Sequence, residues 1–349
     1  MLHSSKQEIT DEVNFSARTR LPGYKKFKKN NPHVFQGNGQ KKKYFEGWYF
    51  KMVSPDLSSI MSVIPGISIS ADGKEQHAFI QIIDGKTAKT HYYSFPIEEF
   101  HFSSSSFAIR IGENYFSEDS LTLNIQKDDT VISGEVFMSD QTYFNERRRK
   151  TIMGWTRYVP FMQCYHSVVS LNHTLKGEIT TQEATYNFSG GMGYIEKNWG
   201  KSMPSSWIWM QSNNFESSNS SFMFAVAKVR WMRSSFNGFL GYYLHDGTVY
   251  PFATHTIAKL DLKAITSDTL SIVIREKSFT LQIEALQGKS GELLAPIDGA
   301  MERLISESVN GQLRITLFDK NGKVLANDYT TVAGLEIVGN VEKLRKKKR

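Results

Sequence analysis

The sequence predicts an all-β protein: two antiparallel β-barrels or sandwiches side by side, with little helix. Three observations carry this. Short apolar runs rich in Val, Ile, Thr, Tyr and Phe recur along almost the whole chain. Turn residues punctuate them, as at Ser54-Pro55-Asp56, Asp84-Gly85, His245-Asp246-Gly247 and Asp319-Lys320-Asn321-Gly322. The 349-residue chain, with 13% aromatic and 22% charged residues, is long and apolar enough for one large or two medium cores. Closing such sheets removes their edges and leaves interiors suited to an apolar ligand.

Taken in order, residues 1–33 are polar, with Lys25, Lys26, Lys28 and Lys29 between Pro22 and Pro32. They read as an arm that wraps the fold or stays loose. The first strand is expected over Tyr44–Val53. Shorter runs follow at Ser59–Ser70 (interrupted by Pro65-Gly66), His77–Ile83, Lys89–Phe95, Phe107–Ile111, Leu121–Ile125 and Val131–Phe137. From Asp140 to Pro160 the character changes: Arg147-Arg148-Arg149-Lys150 is followed by Gly154-Trp155. This stretch reads as a junction or a long surface loop. The β pattern then resumes at Cys164 and runs to Val338. Ile297, Met301, Leu304, Ile305 and Ser308 fit helical spacing, while Ser-rich flanks leave a strand open. The expected organisation is a basic arm at 1–33, one barrel at 34–150, a second at 151–341 and a basic tail at 342–349.

Charge is unevenly spread. Residues 1–43 hold ten Lys or Arg and three acids, and residues 342–349 hold six and one, so a chain of net +7 has a body of net −5. Basic ends on an acidic body argue against a specific nucleic-acid binder. Such ends serve as solubilising termini, or touch an anionic membrane peripherally. The single Cys164 rules out an internal disulfide and a Cys-rich zinc site, which points to a reducing compartment. No apolar run is long enough for a membrane-spanning helix, and Met1–Asn14 has no apolar signal core. The expected location is therefore cytoplasmic, with membrane association through the ends. No phosphate-binding loop, G-x-S-x-G elbow or metal-ligating His/Cys spacing occurs, so neither cofactor nor metal is expected. Gly190-Gly191-Met192-Gly193 lacks the βαβ context that a dinucleotide needs.

The richest stretch is 190–215. It holds three of the six Trp and an adjacent acid–base pair, Glu196-Lys197. Extended, it sends Glu196 and Asn198 one way and Lys197 and Trp199 the other. Trp207 and Trp209 then share one face of a following strand, beyond a turn broken by Pro204. In the first strand Glu46, Trp48 and Phe50 share a face, opposite Phe45, Tyr49 and Lys51. A carboxyl group among aromatics, desolvated, becomes a proton donor at neutral pH. The same residues admit a structural account. Glu46 can be ion-paired to pin its strand, Trp48 can be barrel core, and the glycine-rich connection can use its polar groups to satisfy backbone. His166, beside Tyr165 and Val168, fits either a core position or a substrate wall.

Two of these segments, Phe45-Glu-Gly-Trp-Tyr-Phe-Lys51 and Gly193-Tyr-Ile-Glu-Lys-Asn-Trp-Gly200, resemble the F-E-G-W-Y-F-K and G-Y-x-E-K-[ND]-W-G segments of the tocopherol cyclase family. A third, Gln163–His173, is similar to the family's strand after its central linker. The resemblance runs from about Phe35 to about Leu335. It implies two lipocalin-like barrels, with Gly47-Trp48 where lipocalins place the Trp that plugs the barrel floor. It also implies a reaction: an enzyme acid protonates the first double bond of a prenyl tail, and the neighbouring phenol oxygen traps the cation to close a chroman ring. On that reading Glu196 is the acid, Glu46 a second acid or its partner, and Asn198 the group that orients the phenol. Trp48 and Trp199 stabilise the cation, and Tyr49, Lys197, Trp207, Trp209 and His166 complete the substrate wall. The competing expectation is a non-catalytic, lipocalin-like carrier of prenyl quinones or other apolar lipids, which needs the same walls.

Overall fold

The structure is a computed structural model that describes residues 15–16, 23–127, 130–144, 151–216, 219–266 and 268–345. Among them the only α-helix is the seven-residue segment Tyr24–Asn30. Everything else regular is antiparallel sheet or short 3-10 turn. One sheet has 13 strands, lying between Phe15 and Gly200, and the other has 10, lying between Trp207 and Val338. Each strand path ends at an edge strand rather than returning to its first strand. Each sheet nevertheless curls around an apolar cluster of its own. Trp48, Phe50, Phe102, Phe116, Leu123 and Ile195 meet inside the first. Ile208, Phe224, Tyr243, Ile272, Leu281 and Ile315 meet inside the second.

A third cluster lies between the two sheets and includes Tyr49, Tyr194, Trp207, Trp209, Tyr242 and Val332. Strands that front this seam are buried on both faces, so they read as nearly unbroken apolar runs rather than alternating ones. Along Tyr44–Val53, Trp48, Phe50 and Met52 enter the first core while Tyr49 and Val53 enter the seam. Along Met192–Gly200, Ile195 and Trp199 point into the first core and Tyr194 into the seam. Along Trp207–Ser212, Ile208 and Met210 fill the second core while the two Trp face the seam.

The division between sheets differs from the expected boundary at 150/151. Strands Cys164–Thr180 and Met192–Gly200 complete the first sheet, pairing with Thr130–Thr142 and Tyr44–Val53. The chain crosses to the second sheet only within 201–206. The charged, Trp-containing stretch after Asp140 marks an excursion, not a boundary. Its described part, including the 3-10 turn Gly154–Tyr158, folds back over the seam, and Arg147–Lys150 lie outside the described residues. Residues 297–308, left open between helix and strand in sequence, are extended apart from the turn Asp298-Gly299: Ser290–Ile297 ends there and Ala300–Asp319 is one 20-residue strand.

The end of the expected basic arm is docked. Tyr24 donates its hydroxyl to the Phe35 carbonyl (2.7 Å), and Phe35 packs on Phe100 and Phe102. Residues 1–14 and 17–22 lie outside the described residues, as do 346–349 of the basic tail.

Candidate active site

A space wide enough for a ligand lies between the two sheets. It is a cavity of about 730 Å³, within the usual range for small-molecule sites. Its walls are mostly apolar: Phe45, Ile64, Phe79, Met153, Trp155, Met203, Trp207, Trp209 and Ile305 among others.

Polar groups enter this cavity along two cross-strand rows. In the first sheet Tyr49 pairs with Glu196 in register, and in the second Glu307 pairs with Glu336, which in turn pairs with Trp209. Because side chains alternate, each row aims its members at the same face. The rows then bond reciprocally across the seam. Tyr49 donates its hydroxyl to Glu307 Oε1 (2.6 Å), and Trp209 donates its indole N–H to Glu196 Oε2 (3.1 Å). The two rings meet edge to face at 5.3 Å. Tyr194 also donates to Glu196 Oε2 (2.7 Å), Ser62 donates to the Tyr49 hydroxyl (2.8 Å), and the Trp207 indole donates to Glu336.

Glu307 and Glu336 are the chemically distinctive pair. Burial raises the Glu307 carboxyl well above the usual range, and the Glu336 charge adds to this, against the opposing pull of the Tyr49 hydroxyl and of Lys51. Burial likewise raises Glu336 to about 7, with the Trp207 hydrogen bond opposing. Two neighbouring carboxyl groups that cannot both ionise titrate as a unit. Burial thus favours the neutral form of both carboxyl groups, and both face an apolar space.

On the first-sheet side, His166 Nδ1 lies 3.1 Å from Asn198 Oδ1. Its Nε2 is buried without a hydrogen-bond partner, 3.6 Å from Glu196 Oε2. Burial pushes the neighbouring Cys164 thiol up to about 12, so it is no nucleophile at neutral pH. Lys51, buried in the seam, donates to the Val332 carbonyl (2.5 Å), and burial lowers it to about 7 against the attraction of Glu307. Among the described residues, no three His, Cys, Asp or Glu side chains are grouped to hold a metal ion.

The sequence-derived candidates divide into two sets. Glu196, Asn198, His166, Tyr49, Trp207 and Trp209 all line the cavity. Glu46, Trp48, Lys197 and Trp199 face the first core instead, as strand alternation requires. There Lys197 Nζ sits 2.5 Å from Glu46 Oε1, with both side chains fully buried. The ammonium also donates to the carbonyls of Pro32 (2.9 Å) and Val34 (2.5 Å), and lies over the Trp48 and Trp199 rings at 4.7 and 4.8 Å. Glu46 accepts the N–H groups of Gln36 and Gly37 (both 2.8 Å) and the Tyr44 hydroxyl (2.5 Å). Trp48 donates to the His33 carbonyl (3.1 Å) and stacks on Phe107. This ion pair fastens residues 32–37 across the mouth of the first core. It is the structural alternative that the sequence left open for Glu46 and Trp48, so Glu46 is not a second acid of the cavity. The sequence reading missed Glu307 and Glu336. The one signal for Glu336 was a carboxylate inside the apolar run Val332–Val338; Glu307, among Ser and Ile, gave none.

A curled pair of antiparallel sheets with an acidic, apolar cavity between them defines the class: a two-sheet, lipocalin-like β protein. The fold is shared with the crystal structure of CghA with Sch210972, at a TM-score of 0.51 and 8% identity, over 85% of this chain and 88% of that one. The chain belongs to the tocopherol cyclase-like family, whose model matches residues 140–339. A probable chloroplastic tocopherol cyclase of Oryza sativa subsp. japonica is 24% identical over 204 residues, 55% of this chain and 43% of that protein. The chloroplastic tocopherol cyclase of Zea mays is 23% identical over 203 residues, 53% and 41% of the two chains. The chain thus spans less than half the length of the plant relatives it matches.

Proposed function

We propose that this chain closes a ring on a prenylated hydroquinone or related phenol, in the cavity between the sheets, by proton transfer alone. The reading rests on two adjacent, buried carboxyl groups, Glu307 and Glu336, that line an apolar, Trp-walled space and that burial pushes toward the neutral form. The pair delivers its proton to a trisubstituted double bond of the prenyl tail, leaving a tertiary carbocation and a carboxylate. The phenol oxygen attacks the cation, forming the C–O bond of the chroman ring, and its proton passes to the Glu196–His166 side. Return of that proton to the dyad completes the cycle, so the product is an isomer of the substrate and nothing is consumed. Trp207 and Trp209 take the cation-facing role first considered for Trp48 and Trp199, since their rings wall the cavity. Each aromatic face is worth about 1–2 kcal/mol to a desolvated cation. Asn198 and His166 offer amide and ring nitrogen groups to orient the phenol. The apolar walls keep out water, which would otherwise trap the cation.

The test is ring closure of a prenylated hydroquinol, read as a change in chromatographic retention at constant mass. Glu307→Gln and Glu336→Gln each lower kcat by roughly 100-fold or more, the usual worth of a positioned acid. Full activity in the folded double variant removes the dyad from the role. Binding and recovery of unchanged quinol by the wild-type chain supports the lipid carrier instead.

A further inference from the structure

The cavity opens between three segments, 151–163, 228–241 and 249–258. Trp155, Trp231, Phe236 and His255 from these segments line it while three of them, the Trp pair and Phe236, also stand exposed at its lip. The segments are in contact: Met162 bridges to Trp231, the Trp231 indole donates to the Pro160 carbonyl (3.0 Å), and Gly154 packs directly on the His255 ring. Just outside the cavity stand Ile257, Met232 and Phe161, 79%, 71% and 68% exposed, the three most exposed large apolar side chains among the described residues. All three have positive φ, at 69°, 53° and 62°. Turns of that conformation are served best by Gly, Asn or Asp, and exposure favours polar residues. Neither the backbone nor water accounts for an isoleucine, a methionine and a phenylalanine at these positions.

Charge on the same lip is one-sided. The three segments carry Arg157, Lys228, Arg230 and Arg233 and no Asp or Glu, on a body of net −5, with Lys228 and Arg230 on the face of their strand opposite Trp231. Glu276, from a neighbouring hairpin, accepts the Thr256 hydroxyl and lies close enough to attract the His255 ring. Lys29 and Arg157 both lie over the Tyr158 ring. Exposed apolar tips among Trp and Tyr, with cations nearby, match the interface of an anionic bilayer: apolar groups enter the acyl boundary, aromatics lie at headgroup level, and cations meet phosphates.

We propose that the lip formed by Trp155, Phe161, Trp231, Met232, Phe236 and Ile257 docks the cavity mouth on the surface of an anionic lipid bilayer, so that an apolar ligand enters without crossing water. This places membrane contact on the cavity lip rather than on the basic ends. It does not depend on ring closure, because docking is measured with no substrate present.

The test is flotation of the full chain with vesicles of phosphatidylcholine, with or without phosphatidylglycerol. The wild-type chain floats with the phosphatidylglycerol vesicles, and its Trp emission shifts to the blue. The triple variant Phe161→Asn, Met232→Asn, Ile257→Asn keeps the turn conformation, lines no part of the cavity, and lowers the bound fraction roughly tenfold or more. A chain lacking 346–349 floats as the wild type does. The inference is overturned if the triple variant floats like the wild type, if loss of 346–349 alone abolishes flotation, or if the wild type stays with neither vesicle. A lip-dependent dimer in lipid-free solution without vesicle binding overturns it in favour of self-association. Ring closure of a detergent-dispersed quinol by the triple variant separates this outcome from failure of the catalytic reading.

Discussion

Glu46 and Glu336 show how two carboxylates on β-strands come to opposite ends. Glu46 is held by an ammonium, two backbone N–H groups and a tyrosine hydroxyl, so every lone pair is used. Removing one partner of a buried pair strands the other charge. Glu46→Ala therefore lowers stability by about 3–5 kcal/mol, whereas the paired change Glu46→Leu with Lys197→Met costs far less; thermal melts of the four chains check this. Glu336 behaves oppositely. Its folded-state pKa, about 7, stands above the ordinary carboxylate value, so the folded protein keeps a proton that the unfolded chain releases. Stability from this group is complete below the ordinary carboxylate range and is lost as pH rises toward 7. Calorimetric Tm should fall across that window in the wild type and fall less in Glu336→Gln. Ring-closing activity should persist through that window and decline only at higher pH, because the pair still carries the proton on Glu307, which burial raises well above the usual carboxylate range.

At the scale of the strand, the cavity depends on who lies beneath each wall. Gly334, on the strand Val324–Val338, sits under the Trp209 indole: a Cβ there would fall 2.8 Å from the ring. Gly334→Ala should tilt that ring and draw its N–H away from Glu196. The expected readout is a changed Trp emission and a several-fold drop in kcat with the fold retained; an unchanged spectrum and rate would show that the ring has room. Tyr49 plays the reciprocal part from the first sheet. Tyr49→Phe leaves the buried Glu307 without its hydroxyl donor and should cost roughly 1–3 kcal/mol in a denaturant melt.

For the molecule as a whole, the seam makes two sheets one unit. Tyr49 to Glu307, Trp209 to Glu196 and Lys51 to the Val332 carbonyl cross it. Further along, Asn213 donates to the Asn172 side chain and the Gly193 carbonyl. The family match begins at residue 140, so it takes Cys164–Thr180 and Met192–Gly200 without Tyr44–Val53, which pairs with Met192–Gly200. A fragment of residues 140–339 should therefore show no cooperative thermal transition, while the full chain shows a single one; a sharp transition in the fragment would mean that the second sheet folds alone.

Local pattern was enough to reveal the all-β class, the strand alternation that sends Glu196 and Asn198 away from Lys197 and Trp199, and the pairing of Trp207 with Trp209 on one face. These follow from a two-residue period that each strand carries within itself. The sheet boundary, the identity of Lys197 as the partner of Glu46, and the acid pair Glu307–Glu336 came only from the folded chain. Each depends on which strands lie side by side and which sheet faces which, and a segment carries no trace of its neighbour's register. The cavity belongs to the same category, since each sheet supplies one wall and it exists only once both have curled and met.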